Sequence, residues 1–143
     1  MEIQIKSWNG ENWILNKFNF DTENDFSINE QNLDRELCRM AQLLLHYGVA
    51  ATELRAQHAR CKEELDSLYA IKALKIRSSG TKITENNIKE LIHSDLEYRE
   101  LLKETLKSEA LFNKLENLYK SLLRKSDCLI ALSYKQRKEI SSY

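Results

Sequence analysis

Between Asn32 and Arg77 the chain carries one uninterrupted helical pattern, and that pattern limits what it can fold into. Steps of three and four residues pick out Leu37, Met40, Leu44, Tyr47, Ala51, Leu54, His58, Cys61, Leu65 and Leu68. An apolar repeat of about 3.5 residues, kept up over several heptads, is the pattern of a narrow seam between packed helices. The stretch has no proline to break it, and its one glycine is Gly48. Next to Ala50 and Ala51, Gly48 either admits another helix closely or marks a mild bend. Carried forward, the register falls on Lys72 and Lys75, with Arg77 close behind. The helix predicted over 33–78 therefore has an apolar shaft and a basic end.

At 143 residues the chain has the size of one domain. Its 22 basic and 22 acidic residues cancel, so no global field draws nucleic acid or an acidic partner to the whole molecule. The balance hides a gradient. Up to Gln31 the acids Glu2, Glu11, Asp21, Glu23, Asp25 and Glu30 face only Lys6 and Lys17, whereas residues 72–82 hold four cations and no acid. Three unpatterned cysteines, Cys38, Cys61 and Cys128, suggest a reducing, cytoplasmic setting. No apolar run is long enough to cross a membrane, and no secretory signal is expected.

The first twenty residues follow another rule. Residues 2–6 alternate, Asn9-Gly10 is a strong hairpin signal, and 13–20 is aromatic and aliphatic. A β-hairpin is predicted, with an interaction tail that orders on binding as the alternative. A lone hairpin is marginal in water, so Trp8, Trp13, Phe18 and Phe20 need a surface to lie on. Residues 21–31 read as an acidic linker, with Asn32 as N-cap of the long helix. The division predicted is a hairpin and acidic arm over 1–31 and a helical hairpin domain over 32–143.

Ser78-Ser79-Gly80-Thr81 is expected to end the first helix, Gly80 supplying a positive-φ turn. Thr84 caps a short helix in the 79–94 linker, carrying Ile88, Leu91 and Ile92. Ser94 and Glu97 suggest a capping box opening a second long helix over 95–140. The fold class is mainly α, a long antiparallel helical hairpin with a short linker helix. The second helix has a wide apolar face: Leu111, Leu115, Leu118, Leu122, Leu129 and Leu132, flanked by Phe112, Tyr119, Leu123 and Ile130. One partner helix covers a narrower stripe, so part of this face is expected to meet another subunit. Leu111, Leu115, Tyr119, Leu122, Leu129 and Leu132 are the candidate self-association residues.

Catalytic patterns are missing. Gly10, Gly48 and Gly80 are too far apart for a phosphate loop, and neither G-x-S-x-G nor H-E-x-x-H occurs. His58 and Cys61 have a spacing that could give zinc two ligands, but both also fit the packing seam as a core histidine and an inert thiol. The expectation is no enzyme, no cofactor and no metal.

Lys72, Lys75, Arg77 and Lys82 form the one constellation with a binding chemistry. A helix end and its following loop can space point charges along a single-stranded phosphate backbone. Cations also gather at helix C-termini because the macrodipole favours them, so a solvated helix end is the competing account. From about Leu33 to Glu139 the chain resembles the UvsY-type recombination mediators of tailed phages. Ala73-Leu74-Lys75-Ile76-Arg77 is similar to the A-L-K-x-R stretch that ends that family's first long helix. The helix, glycine-containing linker and second helix with a basic and hydrophobic tail, 128–140 here, match as well.

The resemblance implies binding of single-stranded DNA, assembly into a ring-like homo-oligomer, and help in loading a RecA-like recombinase where single-strand-binding protein is bound. It implies that Lys75 and Arg77 contact DNA with Lys72 as a neighbour, and that the C-terminal stretch self-associates; with Lys82 from the cation cluster these are the candidate DNA-binding residues. The cytoplasm would be that of an infected host cell if the chain is phage-encoded. The linker departs from the family in having no aromatic residue, so phosphate contacts should dominate. A helical protein-binding adaptor or inhibitor with no nucleic-acid role is the second reading.

Overall fold

A computed structural model describes residues 1–80 and 82–142. Two strands, β1 (Glu2–Trp8) and β2 (Trp13–Asn19), are followed by a short helix α1 (Thr22–Phe26) and a 3-10 turn (Glu30–Asn32). Three further helices complete the chain: α2 (Leu33–Arg77), α3 (Glu85–Ser94) and α4 (Leu96–Ser141). The residues sort into two compact units, one of 1–53 with 113–143 and the other of 54–112. The N-terminal arm belongs to the same unit as the first half of α2.

In the first unit the hairpin is antiparallel, with Ile3 opposite Phe18, Ile5 opposite Asn16 and Trp8 opposite Trp13. Period-two alternation turns Ile3 and Ile5 inward, where both are buried, and leaves Glu2, Gln4 and Lys6 exposed. The connection is a four-residue loop rather than the two-residue turn that Asn9-Gly10 suggests. Asn9 Oδ1 accepts hydrogen bonds from the backbone N–H groups of Glu11 and Asn12, at 2.9 and 2.7 Å. Gly10 takes a positive φ of 101°.

The inner face lies on α2. Ser7 Oγ donates to Glu53 at 2.8 Å, a ring nitrogen of His46 lies 2.9 Å from the Asn19 carbonyl, and Phe20 is buried with its ring 4.6 Å from that of Tyr47. Phe18 and Phe20 thus find the surface they need, whereas Trp8 and Trp13 stay more than half exposed. The acidic linker is partly helical: Asp21 caps α1, and Asn29 caps the 3-10 turn that leads into α2, the place assigned to Asn32.

The first half of α2 and the part of α4 from Asn113 onward run antiparallel in this unit, Lys125 meeting Glu36 and Tyr119 meeting Gly48. Leu115, Leu122 and Leu129 are fully buried at heptad spacing, as is Tyr47. Each such side chain is worth roughly 1.5–3 kcal/mol against exposure. At Gly48 an added Cβ would lie 3.3 Å from the Tyr119 ring, so of the two accounts of this glycine close approach is the one the packing supports.

Around Asp25 lies a buried polar network. Its carboxylate accepts from Arg39 at 2.6 Å and from the Tyr47 hydroxyl at 2.8 Å, while its backbone carbonyl accepts from Lys125 at 2.8 Å. Lys125 also lies 2.9 Å from Glu36. Burial, and then the bond to Asp25, push the Tyr47 hydroxyl pKa well above its ordinary value.

In the second unit the later part of α2 pairs antiparallel with the start of α4. Thr105 Oγ1 donates to the Cys61 carbonyl at 3.4 Å, and Lys72 meets Asp95 and Glu97. α3 closes one end. Its Ile88 and Ile92 form a core with Leu65, Ala73 and Tyr98, against which Tyr69, Ile76 and Ile83 pack. The expected seam changes register to meet α3. Buried positions step by seven from Leu33 through Met40, Tyr47 and Leu54 to Cys61, then by four to Leu65 and on to Ala73. A straight helix drifts against a strict heptad, so Ala73 and Ile76 turn inward where the extrapolated register has Lys72 and Lys75.

Candidate nucleic-acid interface

The end of α2 is built as the sequence indicates. Ser78 and Ser79 donate their hydroxyls to the carbonyls of Lys75 and Ile76, at 3.1 and 2.6 Å, and Gly80 takes φ 79°. Thr81, the fourth residue of that stretch, lies outside the described residues. Thr84 caps α3 by accepting from the Asn87 N–H at 3.3 Å.

The four cations do not share one environment. Lys72 is only 22% exposed, with its ammonium 3.1 Å from Asp95 and 2.9 Å from Glu97. Hydrogen bonds to Glu97, then Asp95, raise its pKa above the ordinary lysine value. Asp95, not Ser94, is the N-cap of α4: its Oδ2 accepts from the Tyr98 N–H at 3.1 Å, while the Ser94 hydroxyl donates back to the Leu91 carbonyl. The Tyr98 N–H, then Lys72, hold the Asp95 carboxyl below the usual carboxylate range. Lys72 is thus engaged at the α2–α4 packing and offers a phosphate little.

Arg77 grips Glu85 through Nε and Nη2, with the shortest contact at 2.8 Å. Both side chains are more than half exposed, so the pair is screened by salt and can exchange for a phosphate. Lys75 and Lys82 are exposed and form no ion pair among the described residues. Three- and four-residue spacing sets Ile71 and Leu74 on the same outer helix face as Lys75 and Ser78, and these two apolar side chains are 63% and 67% exposed.

The self-association residues also divide. Leu115, Leu122 and Leu129 are buried within the chain and cannot present a surface to another copy; Leu111, Tyr119 and Leu132 are half-buried. The large apolar side chains of α4 that do face outward are Leu96, Leu106, Leu123, Ile130, Tyr134 and Ile140. Lys125 leaves the basic C-terminal segment for the buried network. Its place between Leu122 and Leu129 in the heptad was the signal that could have shown it.

His58 and Cys61 fall where the seam puts them. The His58 ring is parallel to that of Phe112 at 6.5 Å, and buried Cys61 lies 3.8 Å from the Ser108 hydroxyl. Cys38 and Cys128 are exposed. Among the described residues no cluster of three or more His, Cys, Asp or Glu could hold a metal ion, and no helix is long and apolar enough to cross a membrane. No family model, curated protein or solved structure matches the chain.

Proposed function

We propose that this chain is a non-enzymatic single-stranded DNA-binding recombination mediator. In this reading it assembles into a ring-like homo-oligomer and assists loading of a RecA-like recombinase onto DNA covered by single-strand-binding protein. The observation that carries the reading is the exposure of Lys75 and Lys82 on either side of the α2 turn, free of ion pairs among the described residues. They stand in and after the A-L-K-x-R stretch that resembles the UvsY-type mediators. Arg77 adds a third charge when DNA displaces Glu85, and Lys72 supports the helix end instead of touching phosphate. Such contacts carry no base information, so binding is sequence-independent.

The test is a salt titration with labelled single-stranded oligonucleotides. Replacing Lys75 and Lys82 by alanine is expected to flatten the slope of log affinity against log salt by about 1.4 per binding subunit, equally for unrelated oligonucleotides. A variant that keeps the parent's affinity and slope overturns the assignment of these residues. Light scattering tests assembly: the ring reading requires a discrete species several times 16.8 kDa, and a persistent monomer removes it. The helical adaptor remains the second reading because Ile71 and Leu74 stand exposed at the same helix end, as a protein-binding face would. Absence of oligonucleotide binding even at low salt favours it.

A further inference from the structure

The second unit holds an open groove between α2 and α4 that no site read from the sequence includes. Its volume is about 650 Å³, and it runs from Arg60 to Ile71 on α2 and from Glu97 to Glu104 on α4. The floor is apolar, with Leu68 and Leu101 half-buried and Ile71 exposed beside them. Five glutamates and one arginine stand around it, so the rim is strongly acidic. Two of these acids are engaged, Glu64 with Arg60 at 3.8 Å and Glu97 with Lys72 at 2.9 Å. Glu63, Glu100 and Glu104 are exposed and form no ion pair among the described residues.

Such a surface repels phosphate and is no part of a nucleic-acid contact. It suits a helix that lays apolar side chains on the floor and brings cations to the rim. The end of α4 has that chemistry. Ile130 and Tyr134 are exposed, and Arg137 and Lys138 follow at three- and four-residue spacing on the same side. Neither cation forms an ion pair among the described residues. Glu139, the one acid of residues 130–140, lies about two and a half turns from Ile130 and so on the opposite side. The lengths agree as well: the groove covers about 16 Å of α2, and residues 130–140 span about 15 Å.

We infer that the acidic groove of one copy receives the C-terminal helix end of a second copy. Ile130 and Tyr134 then lie on Leu68 and Leu101, while Arg137 and Lys138 meet Glu63, Glu100 and Glu104. This contact rests on the homo-oligomer reading above and names the two surfaces that would build it. Groove and helix end are different patches, so the contact is heterologous: each copy gives its helix end to one neighbour and its groove to another. Contacts of that kind close into a ring or continue as a filament, whereas one patch meeting itself stops at two copies. Apolar burial supplies the affinity, and the charges select the partner and its direction.

A charge exchange in the full chain tests it. Glu63→Lys with Glu104→Lys reverses the groove, and Arg137→Glu with Lys138→Glu reverses the helix end. All four residues are exposed, and Glu, Lys and Arg have similar helix propensities, so far-UV circular dichroism should not change. Light scattering over a dilution series should show each variant alone assembling roughly tenfold less tightly, because like charges then face each other. An equimolar mixture of the two should recover the parent's assembly. In it the reversed groove takes the reversed end and the native groove takes the native end. Assembly of the parent should weaken as salt rises.

Two variants that each assemble as the parent does overturn this inference and leave the ring reading to another face. A mixture no better than either variant alone also overturns it. If only the groove variant is impaired, the groove serves some other basic segment, and the inference falls. A parent that stays monomeric at low salt removes the inference and the ring together. A mass that grows without limit keeps the contact and removes the closed ring. Should the reversed helix end lose helix, Tyr134→Ala keeps every charge and the helix propensity, and unchanged assembly of that variant overturns the inference.

Discussion

Replacing Lys125 by methionine tests whether the buried charges hold the first unit together. Methionine keeps nearly the same length and helix propensity, so the change is chiefly the loss of the ammonium. Lys125 is buried, 2.9 Å from Glu36 and donating to the Asp25 carbonyl at 2.8 Å. Its removal leaves Glu36, whose side chain is only 14% exposed, without a counter-charge. Breaking a buried pair by removing one partner costs about 3–5 kcal/mol.

The lower end applies here, because Glu36 Oε2 is held by proximity without an aligned hydrogen bond and the carboxylate retains a path to water. About 3 kcal/mol corresponds to a Tm lower by roughly 6–12 °C in a chain of this size. Urea melts at fixed protein concentration, followed by far-UV circular dichroism, measure it. Adding Glu36→Met removes the stranded carboxylate. It also gives up an acid in the first turn of α2, worth about 0.3–1 kcal/mol there. The double variant is expected within about 1.5 kcal/mol of the parent, well above Lys125→Met alone. A single variant losing less than about 1 kcal/mol, or a double no better than the single, refutes the argument.

Two further outcomes follow from burial and capping. Leu122→Ala empties a fully buried site and should cost about 2–5 kcal/mol in the same melts. Ile130→Ala, at a position 57% exposed, should leave the fold within about 0.5 kcal/mol while reducing the light-scattering mass if the outward α4 face joins copies. Asp95→Asn keeps a capping side chain but removes the charge shared with the Tyr98 N–H and Lys72. Because the folded pKa of Asp95 is lowered, its ionised form adds stability that is complete above the ordinary carboxylate pKa. That stability fades as pH falls through the lowered value. The gap between parent and variant in urea melts should therefore be present at pH 7 and close in strong acid, and a gap that ignores pH contradicts the capping account.

Local rules determined much of this protein from its sequence. The heptad of α2 as far as Cys61, the serine and glycine turn after the helix, the Thr84 cap and the alternation of β1 each depend on neighbours within a few residues, and each stands where the sequence puts it. What the sequence left open depends on partners far along the chain. Lys125 is a cation in a basic segment until the fold brings it to Glu36, 89 positions earlier, and to the Asp25 carbonyl. Leu115, Leu122 and Leu129 look like a surplus apolar face until the fold buries them completely.

Lys72 and Lys75 continue one seam on paper, yet α3 turns Ala73 and Ile76 inward and leaves the two lysines with different partners. The acidic arm shows the same limit. Composition sums its charges, whereas the sheet and the buried Asp25 sort them, setting two lysines and two tryptophans on one face. Periodicity reports which side of an element is apolar; what covers that side, and which charges become neighbours, is decided only when distant segments pack.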